Sequence, residues 1–373
     1  MNHLEEYRRV VSDPAGYARQ LKKTSGKKII GYTCSYTPEE VIMAAGAHPL
    51  RLFGTKEHIS LADAHLQSYC CSVVRGILEE GLSRRVDCLD GMVFPHTCDS
   101  MQRLSDIWRM NIPFGFHLDV TLPSKLDTES ARDYMIDVLK KFRNDLSGKL
   151  NTDISDAALQ KAIAATNVIR QAIREIYDIR NLNPRLIPGD DLYTIVRASM
   201  IMDREGLARM LPETVADLKQ KAAGAKSAAT KRIMMAGGMC NQPDVYAMIE
   251  KAGGDIVWDD FCTGARYFIG LTDEGKDPIT GIAERLLNRV VCPAKHADLD
   301  GRAKHIIQLA KEKNAGGVIF LLFKFCDPYA FDYPYLKERL DEAGIPLMLA
   351  EIDDSLPAGG QLQTRFEAFL EML

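Results

Sequence analysis

The 373-residue sequence lacks the features of several large protein classes. No apolar run approaches the roughly 20 residues that cross a bilayer, which argues against a membrane protein. No basic block with interleaved aromatic residues occurs and the formal net charge is −4, so nucleic acid is not an expected partner. Residues 1–23 are polar and charged, which is not typical of a signal peptide. These absences favour a soluble, cytoplasmic protein.

Compact nucleotide and metal motifs are missing as well. No Gly-x-Gly-x-x-Gly follows a strand pattern and no Walker A sequence occurs, so the chain is not expected to hydrolyse ATP itself. The nine cysteines include neither the closely spaced pairs of structural zinc sites nor the Cys-x-x-Cys run of ferredoxins. Since cytosolic thiols stay reduced, structural disulfides are not expected either.

Strand-like and helix-like patterns alternate at both ends of the chain. This alternation predicts parallel sheets covered by helices. Between the two ends, residues 128–226 have helical apolar spacing almost throughout. We therefore predict an α/β protein with two doubly wound, Rossmann-like lobes, 1–127 and 227–373, and a helical insert, 128–226, between them. The strand candidates are residues 27–34, 48–54, 88–98, 112–120, 231–240, 255–262, 315–326 and 345–354.

Most of the cysteines fall where predicted strands end. Cys71 instead opens a helix, and Cys292 closes a short apolar run. In open α/β sheets, ligands bind outside the carboxyl ends of the strands, so these thiols lie on the functional edge of the fold. The five cysteines at strand ends are Cys34, Cys98, Cys240, Cys262 and Cys326.

The spacing of the cysteines matches the repeat of the fold. Successive members of Cys34, Cys71 and Cys98 are 37 and 27 positions apart, and those of Cys262, Cys292 and Cys326 are 30 and 34 apart. One strand–helix–strand unit takes roughly 30 residues, so equivalent points of successive units converge on one sheet edge. We expect two triplets of thiols, one per lobe, to meet across the cleft.

Two interpretations of these thiols remain open at this point. Free cysteines often serve as small buried hydrophobic residues, and this role can explain any single one of the nine. Thiolates also select zinc, copper(I) or iron–sulfur clusters, and six thiols on six segments suit a large cluster better than one ion. Adjacent Cys70 and Cys71 cannot readily bind one metal together, and spacing alone does not exclude Cys240.

Six segments of the sequence are similar to one known family. In combination they resemble the 2-hydroxyacyl-CoA dehydratase and benzoyl-CoA reductase subunit family, and within it most closely the double-cubane cluster proteins. The resemblance implies two α/β lobes, an iron–sulfur cofactor, and electrons supplied by a separate ATP-hydrolysing iron–sulfur activator. The segments are "GYTCSYTPEEVIMAAGAHPLRL" (31–52), "YCCSVVRGILEEGL" (69–82), "FPHTCDS" (94–100), "FKFCDPYAFDYP" (323–334), "IPLMLAEID" (345–353) and "GQLQTRFEAFLEML" (360–373).

The resemblance also implies a ligand set. An 8Fe–9S double cubane has six cysteine ligands, whereas the family's single-cluster subunits hold one 4Fe–4S cubane. Cys262 and Cys292 distinguish this chain from the single-cluster pattern, and Cys70 and Cys88 are expected not to be ligands. One or two separate 4Fe–4S clusters remain the alternative. The implied ligands are Cys34, Cys71, Cys98, Cys262, Cys292 and Cys326.

Four further residues lie close to the implied ligands. His96 is a candidate proton donor to a reducible substrate, against the alternative of a satisfied core histidine. Lys324 projects to the same side as Cys326 if the strand is regular, and is a candidate for stabilising a negative cluster; a surface lysine is the alternative. Asp99 and Asp327 each follow a ligand cysteine, and we predict that they cap the next helices.

Three functions follow as hypotheses. The first is a homodimeric, ATP-dependent (through its partner) iron–sulfur oxidoreductase that reduces a small molecule. The second is a single-cluster subunit of a 2-hydroxyacyl-CoA dehydratase or benzoyl-CoA reductase, which needs a second related chain. The third is a two-lobed binding protein or electron carrier without catalysis.

Overall fold

The computed structural model describes residues 3–55, 57–224, 231–240, 244–289, 292–298, 300–353 and 359–373. These residues form two four-stranded parallel sheets with helices around them, which confirms the predicted α/β class and the two Rossmann-like lobes. None of the helices in these ranges is long and apolar enough to pass through a lipid bilayer.

The N-terminal lobe is built on a sheet with the strand order β2-β1-β3-β4. Apolar side chains of β3 such as Met92 and Phe94 pack with Leu104 and Trp108 on one face of this sheet. The lobe comprises α1 (Leu4–Ser12), α2 (Pro14–Ser25), β1 (Ile29–Tyr32), α3 (Glu39–Ala44), β2 (His48–Arg51), α4 (Ser72–Leu82), β3 (Gly91–Pro95), α5 (Asp99–Asn111) and β4 (Phe116–Val120).

The C-terminal lobe repeats this topology with the order β6-β5-β7-β8. In each lobe the chain reverses its direction of winding beside the first strand, so a crevice opens there at the carboxyl edge of the sheet. The lobe comprises β5 (Lys231–Gly237), α10 (Asp244–Lys251), β6 (Gly254–Asp260), α11 (Ala265–Phe268), α12 (Pro278–Asn288), α13 (Gly301–Glu312), β7 (Gly317–Phe323), α14 (Asp327–Glu342), β8 (Leu347–Ile352) and α15 (Gly359–Glu371).

A helical segment joins the lobes. Its first helix begins where the Thr128 hydroxyl accepts a hydrogen bond from the Ala131 amide (3.1 Å), next to the predicted start of the insert. The predicted end at 226 lies outside the described residues, and the domain boundaries remain predictions. The segment comprises α6 (Glu129–Leu150), α7 (Asp156–Leu182), α8 (Gly189–Ser199) and α9 (Arg204–Ala222).

One part of the C-terminal third crosses to the N-terminal lobe. The α12 side chains Ile282 and Leu286 share a core with Ile30 of β1 and Val93 of β3, and the Cys292 side chain belongs to the same core. Farther along, the backbone at residue 296 hydrogen-bonds to the backbone at 124 and 126. We name residues 278–289 and 292–296 the crossing segment. It places Cys292 beside the first lobe although its sequence neighbours belong to the second.

Several predicted elements are longer than the real ones. Strand β7 ends at Phe323, and Phe325 then takes a left-handed conformation (φ 64°), so the chain turns before it reaches Cys326. Strand β1, predicted over 27–34, spans only Ile29–Tyr32. Apolar letters continue past the end of β7, so composition did not reveal its turn.

Two buried carboxylates bind the first lobe to the helical segment. Glu40 of α3 pairs with Arg170 of α7 (2.5 Å), and Glu39 pairs with Arg204 of α9 (3.0 Å). Burial opposes ionisation of Glu40, yet Arg170 and Arg285 hold the pKa of that carboxyl below its usual value. All four side chains of the two pairs are buried. We name them the Glu–Arg network.

Breaking this network should destabilise the protein strongly. Arg170→Met leaves Glu40 charged and buried without its partner, and the free energy of unfolding should fall by about 3–5 kcal/mol. Chemical denaturation of the cofactor-free protein measures the change. Arg174→Met, on the exposed side of the same helix, is the control and should cost less than about 0.5 kcal/mol.

The pH dependence has a defined sign. Because the folded-state pKa of Glu40 lies below its ordinary value, the stabilisation that the carboxylate provides is present at pH values above the ordinary pKa. It disappears as the pH falls through the folded-state pKa.

Equal losses of unfolding free energy in Arg170→Met and Arg174→Met would contradict the stabilising role assigned to the Glu–Arg network.

Candidate functional site

One cavity between the lobes collects six of the nine thiols. Its cavity volume is about 120 Å³, and it lies at the carboxyl edges of both sheets. Its apolar lining includes Val73, Met101 and Phe323, which limits the access of water to the thiols. The six thiols are those of Cys34, Cys71, Cys98, Cys262, Cys292 and Cys326.

Three of the thiols stand at the N-termini of helices. Cys71, Cys98 and Cys326 are the N-cap residues of α4, α5 and α14. The positive end of a helix and its unpaired N–H groups favour negative charge, so each position suits a thiolate. The predicted caps were Asp99 and Asp327, but these are the first residues inside the helices. We name Cys71, Cys98 and Cys326 the helix-end trio.

The members of the helix-end trio interact directly. The Cys326 thiol hydrogen-bonds to Cys71, and this contact, with the amides of Val74 and Val73, lowers the pKa of Cys71. The same contact and burial raise the pKa of Cys326. Burial raises the pKa of Cys98 to about 12, against the effect of its helix amide. Of the three thiols, Cys71 is therefore the one whose ionisation these contacts favour.

The other three thiols lie together at the opposite end. Cys34 follows β1, Cys262 follows β6, and Cys292 is on the crossing segment. Burial and the neighbouring charges of Cys262 and Cys292 raise the pKa of Cys34, and the Arg51 cation opposes the rise. We name Cys34, Cys262 and Cys292 the arginine-end trio.

Charged and hydroxyl groups surround the arginine-end trio. Arg51 donates to the Cys262 sulfur (3.3 Å) and to its carbonyl oxygen (2.8 Å). The Tyr329 hydroxyl lies 3.7 Å from the Cys292 sulfur and is hydrogen-bonded to Arg266. Among the described residues that line the cavity there are three arginines, at 51, 266 and 289, and no carboxylate. The lining therefore favours an anionic occupant.

The site depends on a glycine at the end of β5. Gly237 has φ 145°, and an added Cβ would collide with the Leu321 carbonyl oxygen of β7. The carbonyl oxygen of Gly237 accepts a hydrogen bond from Arg266. This close approach of two strands positions the arginine at the cavity.

We expected one triplet of thiols from each lobe, but the contacts group the thiols differently. The helix-end trio takes two cysteines from the first lobe and one from the second, and the arginine-end trio takes one from the first and two from the second. The two trios are adjacent, since the pKa of Cys98 also responds to Cys34 and Cys292. The lobes thus share both ends of the site.

The remaining cysteines do not line the cavity. Cys70 and Cys88 are buried, and the Cys70 thiol bonds to Ser100. The charge of Cys240 acts on buried tyrosines at 177, 193 and 246, away from the cavity. The geometry therefore supports the six implied ligands over these three.

His96 and Lys324 lie at the margin of the site, and neither contributes to the lining of the cavity. The His96 ring hydrogen-bonds to Asp119 (2.9 Å), and Lys324 pairs with Asp353 on the surface (3.1 Å). Lys324 follows the end of β7, so the regular-strand argument that aligned it with Cys326 does not hold. Catalytic roles for both remain predictions.

The spacing of the side chains argues against a single ion. In the described ranges, no three His, Cys, Asp or Glu side chains converge closely enough to bind one metal ion. The donors at the cavity are soft sulfur atoms spread around a volume much larger than one ion. Such a donor set fits an iron–sulfur cluster of several metal atoms.

Sequence analysis missed the polar residues that surround the thiols. Each is close in sequence to a cysteine of the cavity or to a strand end: Arg51 closes β2, Arg266 is four residues after Cys262, and Tyr329 is three after Cys326. The strand-end rule that selected the cysteines applies to Arg51 as well. No signal in the sequence marked Arg266 or Tyr329.

Thiol labelling of the cofactor-free, reduced protein should discriminate within the helix-end trio. At pH 8, iodoacetamide should label Cys71 well before Cys98, because a thiol with a pKa of about 12 is only about one part in ten thousand ionised. Mass spectrometry of the labelled peptides gives both rates. Asp327→Asn removes a charge that raises the pKa of Cys71, so labelling should move to lower pH. Faster labelling of Cys98 would contradict the geometry.

Comparisons with known proteins agree with the motifs. The family model described as 2-hydroxyglutaryl-CoA dehydratase, D-component, matches residues 34–373. The chain is 28% identical over 370 residues to the (R)-phenyllactyl-CoA dehydratase beta subunit of Clostridium sporogenes, covering 99% of this chain and 98% of that protein. It is 29% identical over 357 residues to one of the subunits of benzoyl-CoA reductase from Thauera aromatica, covering 93% and 90%.

A third relative has a similar extent. The beta subunit of (R)-2-hydroxyglutaryl-CoA dehydratase from Acidaminococcus fermentans is 27% identical over 382 residues, covering 99% of this chain and 98% of that protein. The relatives are subunits of enzymes, and each alignment spans both lobes. The resemblance to the dehydratase and reductase subunit family is confirmed, and the chain belongs to the 2-hydroxyglutaryl-CoA dehydratase D-component family. The closer likeness to double-cubane cluster proteins remains a prediction.

Proposed function

We propose that this protein is an iron–sulfur oxidoreductase whose six cavity thiols hold an 8Fe–9S double cubane. The observation that carries the proposal is the convergence of six thiols from six chain segments on one cavity. One trio is sufficient for a single cubane with an open position, and the second trio gives the chain the donors for another. Cys262 and Cys292 are the residues on which the double cluster depends.

The chain's own residues would supply helix N-termini, arginines and an apolar lining to such a cofactor. Helix N-termini and arginines balance the negative charge of the thiolates, and the apolar lining reduces the access of water. Bound there, the cluster would supply electrons at low potential to a small molecule. The contacts of Cys71 lower the pKa of its thiol, which favours it as the first residue to bind iron.

The proposal includes a partner and an assembly. The electron donor is a separate ATP-hydrolysing iron–sulfur activator, because this sequence has no nucleotide-binding motif. We also propose a homodimer and a small-molecule substrate. His96, held by Asp119 in the loop before Cys98, is the proposed proton donor, and Lys324 a proposed charge near Cys326.

A second function has its own support. The named relatives are subunits of CoA-dependent dehydratases and a reductase, and they match this chain over nearly its whole length. On that basis the chain would hold one 4Fe–4S cluster on the helix-end trio and act with a second, related chain. Turnover of a 2-hydroxyacyl-CoA only after addition of such a chain would favour this function.

Iron and sulfide content separates the two functions. Anaerobically reconstituted protein should contain about eight irons per chain if both trios bind, and about four if only the helix-end trio binds. Cys262→Ser and Cys292→Ser should each lower the iron content of a double cluster. They should leave a single cluster intact.

Cys240→Ser is the matched control, since Cys240 is buried at a strand end but does not line the cavity. It should retain the full iron content. About four irons in the wild-type protein, unchanged by Cys262→Ser, would overturn the double-cubane proposal. A colourless protein after reconstitution would overturn both functions and favour a binding protein.

A further inference from the structure

The two ends of the thiol cavity differ in the groups that surround them. Both present three thiols, so a bridged cofactor would have chemically similar halves. The halves would nevertheless have unlike surroundings, and the surroundings of an iron–sulfur cluster set its reduction potential. The difference can be followed residue by residue.

A tyrosine without a partner stands at the arginine end. Tyr36 lines the cavity and is 1% exposed, and its hydroxyl has no hydrogen-bond partner among the described residues. It shares the cavity lining with Cys34, two residues earlier, and with Cys292. A buried hydroxyl without a partner is costly, so an acceptor that completes it is expected.

A second hydroxyl has the same property. Thr33, next to Cys34, lines the cavity and is buried, and its hydroxyl also has no partner in the described part of the chain. Thr33 and Tyr36 stand on either side of Cys34 in one loop, residues 33–36, and both line the cavity. Sulfur atoms bound at Cys34 and its two companions are therefore the expected acceptors.

Positive charge is concentrated at the same end. Arg51 donates to the Cys262 sulfur, and Arg266 binds the Tyr329 hydroxyl that lies 3.7 Å from the Cys292 sulfur, although Asp260 offsets part of its charge (3.6 Å). The Arg289 guanidinium lies 4.2 Å above the centroid of the Tyr36 ring and donates to the carbonyl oxygen of Arg266 (3.0 Å). All three arginines line the cavity, and these contacts place them on the side of the arginine-end trio.

The other end has weaker positive groups. The helix-end trio faces three helix N-termini, which act as partial charges of about half a unit each. Asp327, the first residue of α14, adds a negative charge there. Full cations and hydroxyl donors stabilise added electrons more than helix ends beside a carboxylate do.

We propose that Tyr36 and Thr33 would donate hydrogen bonds to sulfur atoms of the cofactor half that Cys34, Cys262 and Cys292 would hold, and that these residues would give that half the higher reduction potential of the two. The inference rests on the proposed double-cubane function.

The test is a potentiometric titration of the anaerobic, iron-loaded protein followed by EPR. In Tyr36→Phe the first reduction step should move to a more negative potential, because the hydrogen bond that stabilises the reduced form is gone. At a fixed potential the ratio of reduced to oxidised protein should fall about three- to tenfold. Tenfold corresponds to 59 mV for one electron.

A matched tyrosine provides the control. Tyr32 is also buried and lies four residues earlier, but its hydroxyl is bonded to Arg204 and it does not line the cavity. Tyr32→Phe should leave the potentials of both reduction steps unchanged. Arg289→Gln should shift the potential of the first reduction step in the same direction as Tyr36→Phe. Arg289→Lys keeps the positive charge, so the potential of its first step should stay close to that of the wild-type protein.

Iron analysis keeps the two proposals separate. About eight irons in every variant, with the first step shifted only in Tyr36→Phe and Arg289→Gln, supports the inference. Eight irons with an unmoved first step in Tyr36→Phe overturns it and leaves the double cubane standing. About four irons in the wild-type protein overturns the double cubane, and this inference with it.

Discussion

The buried pairing of Glu39 and Glu40 with Arg204 and Arg170 is the contact on which the rest of the architecture depends. These carboxylates open α3, directly after the loop that carries Cys34, and their partners lie on the long helices α7 and α9. The Tyr267 hydroxyl of the second lobe also reaches Glu39 (3.4 Å). First lobe, helical segment and second lobe therefore meet at one charged cluster, and the position of the Cys34 loop follows from it. Buried charges of this kind are costly unless each is paired, so the three parts have little freedom to separate.

The same fold that brings the thiols together also offsets the negative charge of their ionised forms. Two sheets of identical strand order bring their carboxyl edges to one cleft, which is where parallel sheets bind ligands. Bringing several thiolates together is unfavourable, and the high pKa values of Cys98 and Cys34 record that repulsion and burial in the empty protein. The cleft counters it by two separate means, helix N-termini on one side and arginines on the other. Metal ions would supply the remaining positive charge.

Sequence reasoning identified the parts of this design that repeat with the period of the fold. The two lobes follow from alternating strand and helix patterns, the helical insert from continuous helical spacing, and the cysteine triplets from a spacing of about one strand–helix–strand unit. The family resemblance then separated the six cysteines from Cys240, and the structure brings those six thiols together. Sequence reasoning did not identify the features of the site that depend on contacts between distant segments. Arg266 reaches the cavity only because Gly237 lets two strands approach, and Cys292 joins Cys34 only because the crossing segment packs on the first lobe. Lys324 was misplaced because one residue, Phe325, leaves the extended conformation.

The division of each trio between the two lobes has a consequence for how the site forms. The helix-end trio takes only Cys326 from the second lobe and the arginine-end trio takes only Cys34 from the first, so neither lobe alone presents three donors at one end of the cavity. A separately expressed lobe would therefore be unable to hold the proposed cofactor with a full set of donors. A circularly permuted protein would have to bring both lobes together before the cofactor could bind.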